Sequence, residues 1–315
     1  MDLSPHNTAF LFPGQGSQAV GMGAELAAEE PSAAAVFARA DELLGFELSD
    51  LCWNGPEDEL NDTVNTQPAL LVHSVAVLRA LQARQPDFKP AMVAGHSLGE
   101  YTALVAAGSL SFEHAVQLVR TRGEAMKAAG QEQPGGMAAV LGLESQQVEE
   151  VCEAARERGE GGVWVANDNC PGQIVISGDG AGLDRATQLL EDAGARKVVR
   201  LAVSIAAHSP YMQAAQDRLR DALQGASFDD PEIPVIGNVS AAPLSTAAEV
   251  RADLDAQLTA NVRWTDSVRH MLEQGVHSFV ELGSGDVLTG LVRRIDRSAE
   301  RYNLDSPASF SQLLS

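Results

Sequence analysis

Residues Ala91-Met92-Val93-Ala94 form a short apolar run that ends in Gly95-His96-Ser97-Leu98-Gly99. A glycine two residues before a serine, and another two after it, let a buried parallel strand turn sharply into a helix, which lifts the hydroxyl out at the top of a sheet. The stretch from Leu98 to Ala107, rich in alanine and leucine, supplies that helix, and Gly108 ends it. Such a turn calls for an α/β fold and makes Ser97 a candidate nucleophile. Taken alone the pattern is weak, because a purely structural Gly-Ser turn is common in α/β proteins.

The remainder of the chain agrees with that class. Its 315 residues allow one large domain, or a large one carrying a small one, and strand-like and helix-like runs alternate throughout. The net charge of −21 argues against general nucleic-acid binding, which needs a positive footprint. Cys52, Cys152 and Cys170 are too scattered for a disulfide framework, and no Cys/His spacing resembles a metal site. Met1 to Thr8 lacks the basic-then-apolar pattern of a leader, and Leu70 to Leu81 is interrupted by His73, Ser74 and Arg79 and too short to cross a membrane. A cytoplasmic protein without membrane contact is expected.

In chain order, Thr8 to Phe12 reads as a strand that stops at Pro13-Gly14-Gln15-Gly16, before a helix from about Met22 to Glu30. Gly14-x-Gly16-x-x-Ala19 imitates a dinucleotide fingerprint, but the stretch about 20 residues on, Phe37 to Leu44, has helical spacing where that fold needs a second strand ending in an acid. The turn is better used to bring backbone N–H groups and the Gln15 amide beside a reaction centre. Asp50 to Asp62 reads as irregular, and Thr66-Gln67-Pro68 as the start of a core helix running to Gln85. A helix after Ser111 carries Arg122 on or near its apolar face, where a cation is costly unless an anion meets it. A buried carboxylate such as Glu100 or Glu124 is the plain structural partner.

Beyond a linker at Gly130 to Gly136 the rhythm becomes β-α-β-β-α-β, which predicts an inserted ferredoxin-like domain. The expected organisation is a large α/β-hydrolase-like domain with a parallel sheet and nucleophile elbow in residues 1–131 and 204–315, and the small domain in 132–203. Cys170 falls in the turn Asn169-Cys170-Pro171-Gly172 and is read as a turn residue. The tail from Arg297 reads as polar and loosely packed. Among seven histidines, His208 stands out as base, since it follows the return from the small domain on a loop with small neighbours, Ile205-Ala206-Ala207.

Several separated motifs then point one way: Phe12-Pro13-Gly14-Gln15-Gly16-Ser17-Gln18, Gly95-His96-Ser97-Leu98-Gly99-Glu100-Tyr101, Val119 to Met126 around Arg122, Asn167 to Gly178, Ala207-His208-Ser209, and Gln257 with Val262-Arg263-Trp264. In this order they resemble the malonyl-CoA:acyl carrier protein transacylases, the acyltransferases of fatty acid and polyketide synthesis, over more than nine tenths of the chain. The resemblance implies an acyl-serine at Ser97, His208 as base and then acid, and the Gln257 main-chain carbonyl on the outer imidazole nitrogen. It implies an oxyanion hole from the N–H groups of Gln15 and Leu98, and Arg122 on the free carboxylate of malonate. It further implies malonyl-CoA as donor, a carrier phosphopantetheine thiol as acceptor, and neither a metal nor a resident cofactor.

A monomer is expected. Two departures from the family pattern bear on partners and substrate. Asp286 stands where a basic residue is common, and Ile205-Ala206-Ala207 lacks the aromatic markers of malonyl- or methylmalonyl-selective domains, so a methylmalonyl extender stays open. Arg196, Lys197, Arg200, Arg293 and Arg294 are candidates for a carrier contact, or ordinary solvated charges. The competing readings are a serine hydrolase or thioesterase, and an acyl-binding scaffold with a dead site.

Overall fold

The computed structural model describes residues 4–313, so the start of the segment read above for a leader lies outside the described residues. Among the described residues ten strands form two sheets. The first holds β1 (Thr8–Phe12), β2 (Met92–Gly95), β7 (Val235–Ile236), β8 (Pro243–Leu244), β9 (Ser278–Leu282) and β10 (Glu300–Leu304) in the order β10-β9-β1-β2-β7-β8. Its pairings are parallel except for β7 with β8. The second holds β3 (Gly136–Leu141), β4 (Val163–Cys170), β5 (Gln173–Gly178) and β6 (Lys197–Arg200), antiparallel in the order β4-β5-β3-β6. The fold is therefore α/β, with a large, mostly parallel sheet and a small ferredoxin-like one.

Every residue of β1 is buried, which requires cover on both faces. The period of two divides them: Phe10 and Phe12 join Val93, Val235 and Val280 against the helices Thr63–Arg84 and Phe112–Glu132, while Ala9 and Leu11 join Ala94, Ile236 and Phe279 against Trp264, Val268 and Leu288. The register Phe12↔Gly95 brings the carboxyl ends of β1 and β2 level. Both loops under discussion, Pro13 to Gly16 and His96-Ser97, thus leave the sheet side by side at the edge where parallel sheets bind ligands.

The small sheet packs Ala138, Val140, Val165, Ile174 and Ile176 onto Val148, Cys152, Leu183 and Leu190 of its two helices. It is pinned to the large one by backbone: Asp168 N–H donates to Val262 O at 2.9 Å and Val262 N–H to Ala166 O at 2.8 Å. Cys170 is the last residue of β4, buried in the core of the large sheet, and not part of the turn, which is Pro171-Gly172 alone.

Three other expectations fail locally. Asp50 to Asp62 is mostly helical, as Leu48–Asn54 and Glu57–Leu60, because Leu48, Leu51 and Cys52 bury one helical face and Gly55-Pro56 only separates the two turns. The long helix begins one turn early, at Thr63, where Asp62 Oδ1 accepts Val64 N–H. Pro68 sits inside it, and Val64 O, which lacks the N–H that Pro68 cannot provide, accepts Arg120 Nη1 at 3.3 Å instead. The helix from Phe112 runs through Glu132, past Gly130, so the linker is shorter than expected.

The tail is not loose. β10 pairs in parallel with β9 from Glu300↔Ser278 to Leu304↔Leu282, and the helix Pro307–Leu313 buries Phe310 and Leu313. Glu281 ties it in: its buried carboxylate accepts Leu288 N–H, Thr289 N–H and Asn303 Nδ2. The tail reads as loosely packed because an edge strand buries few side chains. Phe310→Ala is expected to destabilise the protein by about 3–5 kcal/mol in urea unfolding; a change within about 0.5 kcal/mol would return the tail to the status of a surface appendage.

Candidate active site

The elbow is built from close approaches that only glycine permits. A Cβ on Gly95 would lie 1.9 Å from the Gly99 carbonyl, and one on Gly99 would lie 2.1 Å from Phe12 O. Ser97 itself adopts a left-handed conformation, with φ of 51°, which costs a residue bearing a side chain about 1–3 kcal/mol. Asn238, at the end of β7, holds the turn from both sides: its Oδ1 accepts Ser97 N–H at 2.7 Å and its Nδ2 donates to Gly95 O at 2.7 Å. His96 also lines the cavity but bonds elsewhere, with Nε2 2.8 Å from Asn169 Oδ1 and its ring against Trp264.

His208 is also left-handed, with φ of 58°, and its Nε2 lies 2.8 Å from Ser97 Oγ. Its Nδ1 faces two main-chain carbonyls, Gln257 O at 2.9 Å and Ala260 O at 3.2 Å. Carbonyls only accept, so the ring proton sits on Nδ1 and Nε2 is free to receive the serine proton. Burial, and secondarily the Arg122 charge, hold the imidazole pKa down to about 3, so at neutral pH the ring is uncharged and competent as a base.

Arg122 is 2 % exposed. Its Nη1 donates to Gln67 Oε1 at 2.8 Å, and its Nη2 donates to Gln257 Oε1 and to Ser97 Oγ, each at 3.0 Å. The Nε–H has no partner among the described residues. The plain structural reading of this arginine fails: Glu124 bonds Arg120 on the outer face, and the Glu100 carboxyl bonds Gln257 Nε2. Every bond that Arg122 makes is to a neutral group. Burial depresses its pKa, so the charge is held at a cost and lacks a counter-charge in contact.

These groups open on a cavity of about 270 Å³ between the two sheets, lined by Gln15, Ser97, Leu98, Arg122, Met126 and His208 among others. Neither the Gln15 nor the Leu98 main-chain N–H has a partner among the described residues. The structure therefore brings together Ser97, His208, Arg122 and Gln257, with Gln15 and Leu98 on the wall. Sequence reading missed Asn238 and Gln67. The signal for Asn238 was its place just past a buried strand, where a polar side chain at a sheet's carboxyl end is positioned for use; Gln67 sat one turn inside a helix whose start had been misplaced.

A nucleophile bonded to a base, a carbonyl-oriented imidazole, two free N–H groups and an unpaired guanidinium make up a site for acyl transfer at an anionic acyl group. A sequence profile described as acyl transferase domain matches residues 9–305. The chain belongs to the acyltransferase family. The malonyl CoA-acyl carrier protein transacylase of Bacillus subtilis (strain 168) is 44% identical over 299 residues, covering 95% of this chain and 93% of that one. The crystal structure of the malonyl-CoA:acyl carrier protein transacylase from Xanthomonas oryzae pv. oryzae is similar with a TM-score of 0.94 and 47% identity, over 99% of this chain and 98% of that one. A solved complex of a type II PKS acyl-carrier protein with its malonyl-transacylase contains a chain 41% identical, with a TM-score of 0.93 and 98% of each chain covered.

No helix among the described residues of this acyltransferase is long and apolar enough to cross a membrane, and no group of three His, Cys, Asp or Glu side chains there could hold a metal ion.

The depressed imidazole pKa has a kinetic signature. His208 acts as base only when neutral, so modification of Ser97 by an uncharged sulfonyl fluoride should persist far below the ordinary histidine value of 6.5, with its acid limb displaced downward. In Arg122→Ala the limb should move up, because the Arg122 charge, the second-largest cause of the depression after burial, is gone. An acid limb at the ordinary value in both proteins would contradict the electrostatics described.

Proposed function

We infer that this acyltransferase moves the malonyl group of malonyl-CoA to the phosphopantetheine thiol of an acyl carrier protein through an acyl-serine, by a ping-pong route. The observation that carries the substrate assignment is the placement of the Arg122 guanidinium 3.0 Å from Ser97 Oγ. A cation that close to the nucleophile suits a carboxylate separated from the attacked carbonyl by a single carbon, which describes malonyl and equally its 2-methyl derivative. A longer diacid overshoots, and an acetyl group leaves the buried cation unpaired.

In the first half-reaction Ser97 Oγ attacks the thioester carbonyl while its proton passes to His208 Nε2. The carbonyl oxygen becomes an oxyanion, which we assign to the free N–H groups of Gln15 and Leu98, each worth about 3 kcal/mol on the developing charge. The C–S bond breaks, and the proton on Nε2 leaves with coenzyme A as its thiol. In the second half the phosphopantetheine thiol gives its proton to Nε2, its sulfur attacks the ester, and Ser97 Oγ departs and recovers that proton. Gln257 O keeps the imidazole in the required tautomer throughout and steadies the cation that forms. Arg122 holds the malonyl carboxylate in both halves.

We take the inserted domain as residues 132–203 and the two flanking segments as the large domain, so that β3 to β5 wall one side of the cavity. Every group in this scheme comes from one chain, which suits a monomer. For the carrier we propose the exposed Arg196, Lys197 and Arg293; Arg200 pairs with Asp184 and Arg294 bonds Gln173 across the domain junction, so both are otherwise engaged. Their contribution is to the rate of encounter more than to affinity.

Incubation with labelled malonyl-CoA should add one malonyl group to Ser97, discharged on addition of carrier protein and absent in Ser97→Ala. Arg122→Ala should lower kcat/KM for malonyl-CoA by about 10²–10³-fold while changing acetyl-CoA little. Release of free malonate without transfer would make the protein a hydrolase, and an adduct in Ser97→Ala would overturn the assignment of the nucleophile.

A further inference from the structure

Glu100 lies in the first turn of the helix Gly99–Ala106 and is wholly buried. Its Oε2 accepts a hydrogen bond from Gln257 Nε2. Its Oε1 has no donor facing it among the described side chains, and it meets the carboxyl group of Asp253 from the helix Ala247–Gln257. Asp253 in turn accepts Val239 N–H at 3.3 Å and Ser240 N–H at 3.2 Å. Two carboxylates cannot face each other in a protein interior without a proton between them. Asp253 has two backbone donors, whereas Glu100 receives Gln257 Nε2 and the Asn238 N–H, and its burial beside Asp253 favours the protonated acid.

Gln257 stands at the centre of the site. Its Nε2 also donates to Ser97 O at 2.9 Å, its Oε1 accepts from Arg122 Nη2, and its main-chain O accepts from His208 Nδ1. A side-chain amide can sit in two orientations that differ by exchange of N and O. With the amide reversed, Nε2 would face the Arg122 donor and Oε1 would face Ser97 O, so both bonds would be lost. The acceptor at Glu100 Oε2 adds to these two contacts a third that favours the working orientation.

We propose that Glu100 is a positioning residue of the acyl-transfer site: a neutral carboxylic acid that orients the Gln257 amide, and through it Arg122 and the Ser97 turn, while leaving the Arg122 charge free for the substrate carboxylate. The proposal rests on the acyl transfer inferred above. Neutrality matters because a carboxylate at Glu100 would become a resident counter-charge for Arg122 and compete with malonyl. Burial and the adjacent Asp253 charge both push the Glu100 pKa well up, in agreement with the geometry. The charged and titratable groups that face Glu100 are Asp253, Arg122 and Tyr101, from three different helices.

Glu100→Gln preserves one acceptor for Gln257 and one donor for Asp253 without any charge. Glu100→Ala removes both. Malonyl-CoA kinetics, malonyl labelling of Ser97 and thermal unfolding should be measured on wild type and both variants from about pH 3 to about pH 9, a range that includes the acid limb set by His208. Glu100→Gln should keep kcat within about threefold, keep KM for malonyl-CoA, and follow the wild-type pH profile, whereas Glu100→Ala should lose about 10–100-fold in kcat. Two folded variants equally impaired, an unimpaired Glu100→Ala, or a tenfold lower KM in Glu100→Gln would each overturn the proposal. Should Glu100→Ala not fold, the pH profile of Glu100→Gln decides: coincidence with wild type supports a neutral acid, and a displaced acid limb, as expected on losing an anion near the site, refutes it. Failure of wild type to label at all would overturn the acyl-transfer reading itself, and the positioning role with it.

Discussion

A guanidinium held in the interior with no anion in contact is the constraint on which the site depends. Arg122 is costly to bury, and its surroundings give its two terminal nitrogens acceptors without cancelling its charge: Gln67, Gln257 and Ser97 supply oxygen atoms that are all neutral. A resident carboxylate there would be more favourable for folding and worse for substrate selection. Burial and, after it, the same cation lower the His208 pKa, which keeps the base uncharged until the reaction. Binding of an anionic acyl group relieves that effect at the moment when the imidazole must accept a proton.

Position is supplied by the parallel sheet. Because β1 and β2 end in register, the Gln15 loop and the Ser97 turn are set beside each other by backbone pairing, and Gly14, Gly95 and Gly99 remove the side chains that would keep them apart. The inserted domain separates His208 from Ser97 by more than a hundred residues in the chain, and the pinning of β4 to Val262 brings the return segment back to the sheet. Nucleophile and base both carry left-handed backbones, so strain is stored at the two residues that exchange the proton.

Much of this could be read from the chain. The apolar run before Gly95, the Gly-x-Ser-x-Gly spacing and the β-α-β-β-α-β rhythm are local patterns, and the family motifs placed Ser97, His208, Arg122 and Gln257 in one site. What could not be read depends on contacts between distant segments. Pro68 looked like a helix start because the partner of the freed Val64 carbonyl, Arg120, lies on another helix. The tail looked like coil because β10 finds its hydrogen bonds in β9. Glu100 and Asp253 are ordinary acids in the sequence, and only the folded structure buries Glu100 and sets it beside Asp253, which together raise its pKa.

The central claim is that Arg122 waits for the substrate's carboxylate, and a crystal structure of the malonyl-Ser97 enzyme tests it most directly. The account predicts the malonyl carboxylate on the Arg122 guanidinium at the short separations of charge-assisted bonds, about 2.7–2.9 Å, with the bond to Ser97 Oγ given up. A malonyl group that points its carboxylate to the cavity mouth, with Arg122 still on its neutral partners, would contradict it.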